Sequence, residues 1–483
     1  MPSLLFAFSF LPLGGSDVSA VERALASVRS ENICADVRFI AADELEGRDT
    51  PSAGLRLAAR YIRARLERLG FQPAGDDGFF DRYPLERSGF DLPACKAWLV
   101  RDGKSRELVF GQDYAFFGGD EHELEGPVVF VGSARAEDLQ GLELRGKWAL
   151  ALDSGGGRDR QAWEERFQRI ERVRSAGALG IVTAPDPSLP AAELGERDER
   201  LARSADWTGR PSLHAPGTAT EAGTQAVSLA LKSALVKELF GARGTPAVGA
   251  DLGVRLKERR QRSTPEGLEL ENVAGLWPGS DAALTKEVLI LSAHYDHEGV
   301  RGGEVYNGAD DNGSGTTGLL AVAEALASYG PMRRSVLLLW VSGEEKGLLG
   351  SEAWTRAPTL APDLRPVCDI NIDMIGRNAP EKLLITPTKA LEEYNGLTRL
   401  AEALAPLEGF PVLGSCDEYW QRSDHANFAE NLKIPVAFLF SDVHEDYHQP
   451  TDDADKIDCD KIRRVVRLVV RILDGLQADT LAL

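Results

Sequence analysis

The sequence predicts an α/β fold in which a mostly parallel central sheet is flanked by helices and a smaller β-rich domain is inserted. Three observations predict this organisation. After about residue 265, short apolar runs alternate with helical patterns, which is typical of parallel strands covered on both faces. Residues 54–69 form an amphipathic helical pattern far upstream of that region. From about residue 100, glycine-bounded strand patterns indicate a separate block between the two.

The length of 483 residues is too great for one ordinary domain. We expect residues 21–95 and 265–483 to form one α/β domain together, with residues 100–260 inserted between them. Residues 1–20 contain a short apolar run followed by small residues, which resembles a secretory signal. No Lys or Arg precedes that run. Either the start is truncated, or the run is an ordinary terminus and not a signal. We expect the signal, and therefore a secreted or periplasmic protein.

The first elements follow from local patterns. Leu55, Ala58, Ile62 and Leu66 recur at helical spacing and Gly70 ends the helix. In the middle block we predict strands over 127–132, 147–152 and 181–183, and a helix over 161–174. The stretch 184–225 is rich in Pro, Ala, Gly and charge and is therefore predicted to be mostly loop.

The second half alternates strands with helices. The predicted strands are Val288–Ser292, Val336–Val341, Asp369–Met374, Leu383–Thr386 and Pro435–Phe440. The predicted helices are 314–328, 346–356, 390–404 and 459–476.

The composition excludes several classes of partner. The net charge of −20 argues against a nucleic-acid partner and against docking on anionic lipid, because both need a basic face. No apolar run approaches the ~20 residues of a transmembrane helix. The five cysteines show no CxxC spacing, so a thiolate zinc site is not expected. Their odd number leaves at least one thiol unpaired, and Cys368 lies in a core strand pattern.

Side chains that bind metals follow the predicted strands. They are His294 and Asp296 after the first, Glu344 and Glu345 after the second, Asp373 at the third, His448 after the last, and Asp311 at a helix start. Ligands gather beyond the carboxyl ends of such strands. Imidazole with carboxylate and no thiolate suits zinc or a similar divalent ion. The set exceeds the three protein ligands of one catalytic zinc, which suggests two metals sharing a carboxylate.

These motifs resemble a known family. The order H-x-D, G-A-D-D-N-G-S-G, G-E-E, N-I-D-M-I-G and Y-H-x-P-x-D resembles the M28 zinc peptidases, which have a zinc-peptidase/phosphorylase-hydrolase-like fold. The segment L-E-G-R and the helix after it resemble the start of M28 catalytic domains. In the middle block, G-P-V-V-F-V-G, G-K-W-A-L-A-L and S-A-G-A-L-G-I-V resemble a protease-associated (PA) domain.

The resemblance implies a role for each residue of the motifs. His294 and Asp373 would bind one Zn²⁺, Glu345 and His448 the other, and Asp311 both. Glu344 would be the general base that deprotonates the attacking water and then protonates the leaving amine. Asp296 would hydrogen-bond His294 and fix its tautomer.

Each motif alone has a plain structural explanation. Asp310 and Asp311 could belong to a helix-capping loop, and Glu344 and Glu345 could be a charged first helical turn. Only their order at successive strand ends favours a site.

The remaining candidates are less specific. His297, His122 and His214 are expected to be surface or structural residues. His425 either binds substrate or orients its loop, and Tyr419 and Trp420 either line a substrate pocket or pack the loop. His444 is a further candidate.

The function predicted is removal of N-terminal residues from peptides or proteins with a free N-terminus by a two-zinc aminopeptidase. Within the same fold, a carboxypeptidase or dipeptidase would need a cation for the substrate carboxylate, and Arg377 is a candidate. A glutaminyl cyclase is disfavoured by the two-metal ligand set. An inactive binding protein that uses the PA-like block is the alternative of another class. The sequence does not predict the oligomeric state.

Overall fold

The computed structural model describes residues 19–117, 119–153, 160–218, 227–241, 244–481 and 483. The described chain divides into two compact units. Unit 1 contains the residues up to Tyr83 and from Glu269 onward, and unit 2 contains Pro84–Leu268. The predicted domain limits near residues 95–100 and 260–265 remain a prediction. The proposed signal sequence lies outside the described residues apart from its last two positions.

The first part of unit 1 is mainly helical. Its elements are α1 (Ala20–Ser27), α2 (Ser30–Ile40), α3 (Ala53–Leu69), β1 (Gln72–Pro73) and β2 (Phe80–Ser88). The predicted helix over 54–69 is confirmed as α3. Its first turn is capped by the Ser52 hydroxyl, which accepts a hydrogen bond from the Leu55 N–H. Gly70, in the left-handed conformation, ends it. The apolar face of α3 is fully buried.

Unit 2 is built on one eight-stranded sheet. The strands of this sheet are β3 (Lys96–Arg101), β4 (Lys104–Leu108), β5 (Tyr114–Phe117), β6 (His122–Phe130), β7 (Trp148–Asp153), β8 (Gly180–Pro185), β10 (Ser228–Leu231) and β11 (Asp251–Arg260). The short strand β9 (Ser212–His214) pairs with β2 instead. Its helices are α4 (Ala136–Leu139), α5 (Arg160–Ser175), α6 (Ala191–Thr208) and α7 (Ser233–Phe240). The sheet order is β4-β3-β11-β6-β7-β8-β10-β5, and the neighbours β6, β7, β8 and β10 are parallel.

Helix α6 contradicts the prediction that 184–225 is mostly loop. Leu194, Leu201 and Ala205 recur at helical spacing and are buried. Beside this apolar stripe, Glu193 pairs with Arg197 at 3.0 Å across one turn. The Pro residues that suggested a loop lie outside the helix, whereas Gly195 lies within it. The charge-rich composition hid the apolar stripe.

The second half supplies most of unit 1. Its strands are β12 (Glu266–Trp277), β13 (Glu287–His294), β14 (Gly299–Arg301), β15 (Glu304–Tyr306), β16 (Ser335–Val341), β17 (Arg365–Ile372), β18 (Leu384–Thr386), β19 (Gly414–Ser415) and β20 (Val436–Phe440). Its helices are α8 (Gly315–Tyr329), α9 (Leu349–Arg356), α10 (Gly396–Leu404), α11 (His425–Asn427) and α12 (Cys459–Gly475). All the elements predicted for this half are present, although α9 and α10 begin later than predicted and β17 ends before Asp373.

The central sheet of unit 1 is mixed, so the prediction of a mostly parallel sheet is only partly right. Strands β20, β17, β13 and β16 are consecutive and parallel. Beside them, β12 joins β16 and β18 joins β20 in antiparallel fashion. The four central strands are largely buried because both of their faces are covered. Strands β13, β16 and β20 are mostly apolar, whereas β17 also contains the buried polar residues Asp369 and Asn371. The antiparallel neighbours have no such signature.

A disulfide joins Cys34 of α2 to Cys459 of α12. Both helices also pack against α8. The other three cysteines, Cys95, Cys368 and Cys416, are free and buried, and the interpretation of Cys368 as a core residue is confirmed by its position in β17.

Candidate metal centre

The four parallel strands bring the predicted ligands to one edge of the sheet. Strand β13 ends at His294, and Asp373 directly follows β17. The pair Glu344 and Glu345 follows β16 after a turn at Ser342 and Gly343. Because the carboxyl ends of neighbouring parallel strands point the same way, these side chains converge.

Asp311 reaches this edge from the loop that precedes α8. The Asp452 carboxylate accepts hydrogen bonds from the N–H groups of Asp310 and Asp311, at 3.0 and 3.1 Å. The Asn312 side chain donates to the Ile372 carbonyl and accepts from the Met374 N–H. The loop is therefore fastened on both sides, and one fastening reaches the end of β17 where Asp373 begins.

Arg48, in the L-E-G-R segment, binds the backbone of the loops that carry these side chains. It is fully buried. Its guanidinium donates to the carbonyls of Tyr295, Asn307 and Gly308 at 2.8–3.0 Å, and to that of Ile40 at 2.6 Å. One side chain thus ties the loop after β13 to the loop that carries Asp311.

Asp311 lies between two groups of side chains. On one side, its Oδ1 is 3.5 Å from His294 Nε2, which is also 3.3 Å from Asp373 Oδ1. On the other side, its Oδ2 is 3.1 Å from His448 Nε2, which is 3.2 Å from Glu345 Oε2. Each oxygen of one carboxylate therefore faces a different histidine, the arrangement that a shared ligand requires.

His297 also belongs to this constellation. Of the two roles expected for it, its burial excludes a surface position, and a structural role stays a prediction. His297 is fully buried, and its Nδ1 is 2.8 Å from Glu345 Oε1 and 3.7 Å from Asp311 Oδ2. Ring atoms of His297 lie where a Cβ on Gly308 would stand, so only glycine leaves them room there. The signal in the sequence was a second histidine at the same strand end. We call His294, His297, Asp311, Glu344, Glu345, Asp373 and His448 the acidic cluster.

The pKa shifts in the acidic cluster reflect carboxylates crowded away from water. Burial and the charge of Glu345 raise the pKa of Asp311. Burial acts on Glu345 in the same sense, but hydrogen bonds from His297 and His448 outweigh it and hold its pKa well below the usual value. Burial lowers the pKa of His294, yet the carboxylates of Asp373 and Glu344 raise it well above the usual value overall. So much buried negative charge calls for cations.

Glu344 lies beside His294 and Asp373, with potential ligand atoms of the three residues within 4.8 Å of one another. Removal from water is the largest of the effects that raise its pKa well above that of an ordinary glutamate. Asp296 supports this corner. Its Oδ1 accepts a hydrogen bond from the Glu344 N–H at 3.2 Å and is 3.7 Å from His294 Nδ1. Its Oδ2 accepts from the Thr50 hydroxyl at 2.9 Å.

A cavity of about 270 Å³ opens beside the acidic cluster. Its lining includes Glu344 together with Met374, Tyr419, Arg422, Phe438, Phe440, Val443 and Tyr447. Of the predicted pocket residues, Tyr419 is in this lining. Trp420 and His425 are not among the described residues that line it.

His425 instead stacks on Phe438 with ring centroids 4.5 Å apart, and Trp420 packs against its ring. Burial lowers the pKa of His425 to about 3, so its ring is neutral. This position favours the interpretation that His425 orients the loop and packs behind the cavity.

The other predicted candidates lie apart from the acidic cluster. His122 contacts Glu258 in unit 2, and His214 Nε2 is 2.7 Å from the Ser88 hydroxyl, also in unit 2. His444 Nε2 is 3.2 Å from Asp310 Oδ2. Arg377 pairs through its Nη2 with Asp446 at 2.8 Å, while its buried Nη1 has no hydrogen-bond partner among the described residues.

The sequence is also similar to that of a known peptidase family. Residues 272–473 match the family model of Peptidase family M28. This segment of the chain is therefore similar to M28 peptidases. The matched segment includes every residue of the acidic cluster.

Two curated proteins illustrate the similarity. The "Probable leucine aminopeptidase" of Arthroderma otae is 27% identical over 220 residues, which are 42% of this chain and 60% of that protein. "Aminopeptidase YwaD" of Bacillus subtilis is 26% identical over 188 residues, 38% of this chain and 40% of that protein. The alignments thus span between two fifths and three fifths of these relatives' lengths.

Solved structures show the fold of the chain. The aminopeptidase from Aneurinibacillus sp. strain AM-1 has a TM-score of 0.58 at 19% identity, covering 94% of this chain and 95% of that one. The zinc aminopeptidase BSAP from Bacillus subtilis has a TM-score of 0.54 at 17% identity, covering 93% and 95%.

Proposed function

We propose that this protein is a zinc-dependent aminopeptidase that hydrolyses the first peptide bond of peptides with a free N-terminus. The observation that carries the proposal is the position of Asp311, whose two carboxylate oxygens face His294 and His448 separately. The similarity of the chain to M28 peptidases and aminopeptidases supports the reaction class.

The donor set fits zinc. It consists of imidazole nitrogens and carboxylate oxygens, which are normal zinc ligands, and it carries an excess of buried negative charge. We assign His294 and Asp373 to one ion, His448 and Glu345 to the other, and Asp311 to both. When bound, such a pair of ions supplies Lewis-acid polarisation of the carbonyl and lowers the pKa of water.

The chain's own residues handle the proton. Glu344 is the general base that takes a proton from the attacking water and returns it to the leaving amine. A raised pKa suits both halves of this task because it brings the carboxyl group closer to working pH. Asp296 holds the Glu344 backbone and lies against His294. It therefore positions the base and one ligand together.

The cavity beside Glu344 indicates the substrate side chain. Phe438, Phe440, Tyr419 and Tyr447 contribute aromatic surface to its walls, together with Met374 and Val443. We assign it to an apolar N-terminal side chain, because apolar surface buried there contributes most to binding.

Arg422 favours one second candidate, a carboxypeptidase or dipeptidase of the same fold. It is an exposed arginine in the lining of the same cavity, and a guanidinium there suits a substrate carboxylate. Arg377 is less suited to that role because it does not belong to the lining of this cavity. A glutaminyl cyclase and an inactive binding protein are both disfavoured, since the full set of ligands and the base converge.

The Cys34–Cys459 disulfide supports a secreted or periplasmic location, because disulfides persist in oxidising compartments. Within the described part of the chain, membrane-spanning helices are absent. We also propose that the middle block, residues 100–260, is a PA-like domain.

The test is a Glu344→Gln variant assayed on aminoacyl arylamides and on dipeptides with a free C-terminus. We expect bound zinc to be retained and turnover of the arylamides to fall about 10²- to 10⁴-fold, because proton transfer is lost. Bound metal is measured by plasma mass spectrometry. Glu381→Gln, at an exposed glutamate of unit 1, is the matched control and should keep wild-type turnover.

Two results would contradict the proposal. Near-wild-type turnover by Glu344→Gln would remove Glu344 from its role. A wild-type enzyme that cleaves dipeptides and N-blocked peptides but no arylamide would favour the carboxypeptidase, and Arg422→Gln should then raise KM far more than it lowers kcat.

A further inference from the structure

Unit 2 contains a cavity of about 290 Å³ that the peptidase proposal does not use. It lies where the parallel strands β7 and β8 end, and its walls come from those ends, from α5 and α6, and from β10. The space beyond the carboxyl ends of parallel strands is a common place for ligands. Its size is near the lower end of the range of about 300–1,000 Å³ for small-molecule sites.

The charged residues of this cavity are strongly unbalanced. Four arginines and one aspartate line it: Arg166, Arg169, Arg197, Arg200 and Asp153. The chain as a whole carries a net charge of −20, so this concentration of guanidinium groups runs against the composition. We call this cavity the arginine pocket.

Two of the arginines are largely removed from water. The side chains of Arg197 and Arg169 are only 9% and 12% exposed. Arg197 donates to the Asp153 carbonyl at 2.8 Å and also contacts the carboxylate of Glu193. The Asp153 carboxylate is 3.4 Å from Arg197 and 3.7 Å from Arg169. One carboxylate is thus shared by two guanidinium groups.

One donor of the pocket remains unsatisfied. The Nε of Arg169 is buried and has no hydrogen-bond partner among the described residues. A buried donor without an acceptor costs about 1–3 kcal/mol, and more when it belongs to a charged group. Arg200 is half-buried in the same lining. An anion placed in the pocket would satisfy the Arg169 donor and offset the excess positive charge.

The rest of the lining is mainly apolar. Ile170, Ala184, Pro185, Leu201 and Leu231 contribute to it. A bare inorganic anion would leave this surface without a partner, whereas an organic anion would cover it.

We infer that the arginine pocket binds a small organic anion, whose carboxylate or phosphate group pairs with Arg169 and Arg200 while its apolar body packs against the strand ends. Guanidinium groups suit both anions because they donate two parallel hydrogen bonds. The inference does not depend on the peptidase proposal, since no residue of the acidic cluster takes part.

The test is calorimetric titration of the full-length protein at low salt with phenyl phosphate and with benzoate. Phenol, which has the ring without a strong anion, is the control ligand. We expect saturable 1:1 binding of at least one anion. Tighter binding of phenyl phosphate identifies a phosphate site and tighter binding of benzoate a carboxylate site. Equal binding of phenol, or saturable binding of neither anion, would overturn the inference.

Variants separate this pocket from the acidic cluster, where metals could also attract anions. Arg200→Gln and Arg169→Gln should each weaken the favoured anion at least about tenfold, the order of one charge-assisted contact. Arg203→Gln is the matched control, because Arg203 lies on the same helix with its side chain 67% exposed. Thermal unfolding checks that each variant folds. A loss with Arg203→Gln equal to that with Arg200→Gln, or no loss with either pocket variant, would refute the assignment.

Discussion

The acidic cluster of unit 1 and the arginine pocket of unit 2 occupy equivalent places in two different sheets. Each lies beyond the carboxyl ends of neighbouring parallel strands. The first gathers carboxylates around imidazoles, and the second gathers guanidinium groups around one carboxylate. The topology of a parallel sheet thus decides where a site forms, while the residues around the strand ends decide the charge of what binds.

The two places also differ in how their charged groups are satisfied. The Arg48 guanidinium in unit 1 donates hydrogen bonds to four backbone carbonyls and so stabilises the fold. Arg169 in unit 2 has a buried donor without a partner. A satisfied charge stabilises the fold, whereas an unsatisfied one points to a ligand.

The largest expected effect is that of Asp311→Asn, which tests whether the acidic cluster is a cation site. The amide removes the charge that faces both histidines, so we expect both ions to bind weakly and turnover to fall at least about 10³-fold. Metal content per chain and turnover of an aminoacyl arylamide measure this. Asp363→Asn, at an exposed aspartate paired only with Lys286 at 3.5 Å, should change neither. Full metal content in Asp311→Asn would contradict the proposal that the acidic cluster binds cations through Asp311.

The next effect is that of Arg48→Lys, which tests whether a satisfied arginine stabilises the fold. Lysine retains the charge but cannot reach four carbonyls, and we expect a loss of about 3 kcal/mol in the free energy of unfolding. Urea denaturation measures it. Arg38→Lys, at an exposed position on α2, is the control. Arg169→Gln should cost much less than Arg48→Lys, and an equal cost would remove the distinction between the two arginines.

The sequence predicts the acidic cluster well and the arginine pocket not at all, for a physical reason. His294, Glu344, Asp373 and His448 follow strands whose apolar runs are unmistakable, so the edge at which they meet is determined once the strands are. The four arginines lie on α5 and α6, where alternating Glu and Arg is typical of a solvated helix face. One of these helices was also taken for a loop.

Two further features escaped prediction because they depend on packing. His297 shares its loop with His294, and no periodicity decides whether a loop side chain turns inward. The antiparallel strands β12 and β18 depend on chain connections that a local apolar pattern does not encode. The position of Asp311 beside the other motif residues could be predicted because several motifs had to fit together, whereas its role as a shared ligand stays a prediction.

The smallest expected effect concerns Asp446, which is satisfied in the same way as Arg48 but with the opposite charge. Its carboxylate accepts hydrogen bonds from Lys456, Thr451 and Arg377 at 2.6–2.8 Å. Hydrogen bonds from Lys456 and Thr451, with the nearby Arg377 charge, hold the pKa of Asp446 well below its usual range.

A depressed pKa means that the folded state binds this proton less readily than the unfolded state. The stabilisation is therefore complete above the unfolded pKa of about 3.9 and is lost as the pH falls through the lower folded value. We expect Asp446→Asn to cost about 2 kcal/mol at pH 7, and the difference from wild type to shrink below pH ~4. Urea denaturation from pH 7 to pH 3 measures this, with Asp363→Asn as the control. If the difference in the free energy of unfolding stays constant over that range, the charge of Asp446 does not contribute to stability. The loss would then come from the poorer hydrogen-bonding geometry of the amide.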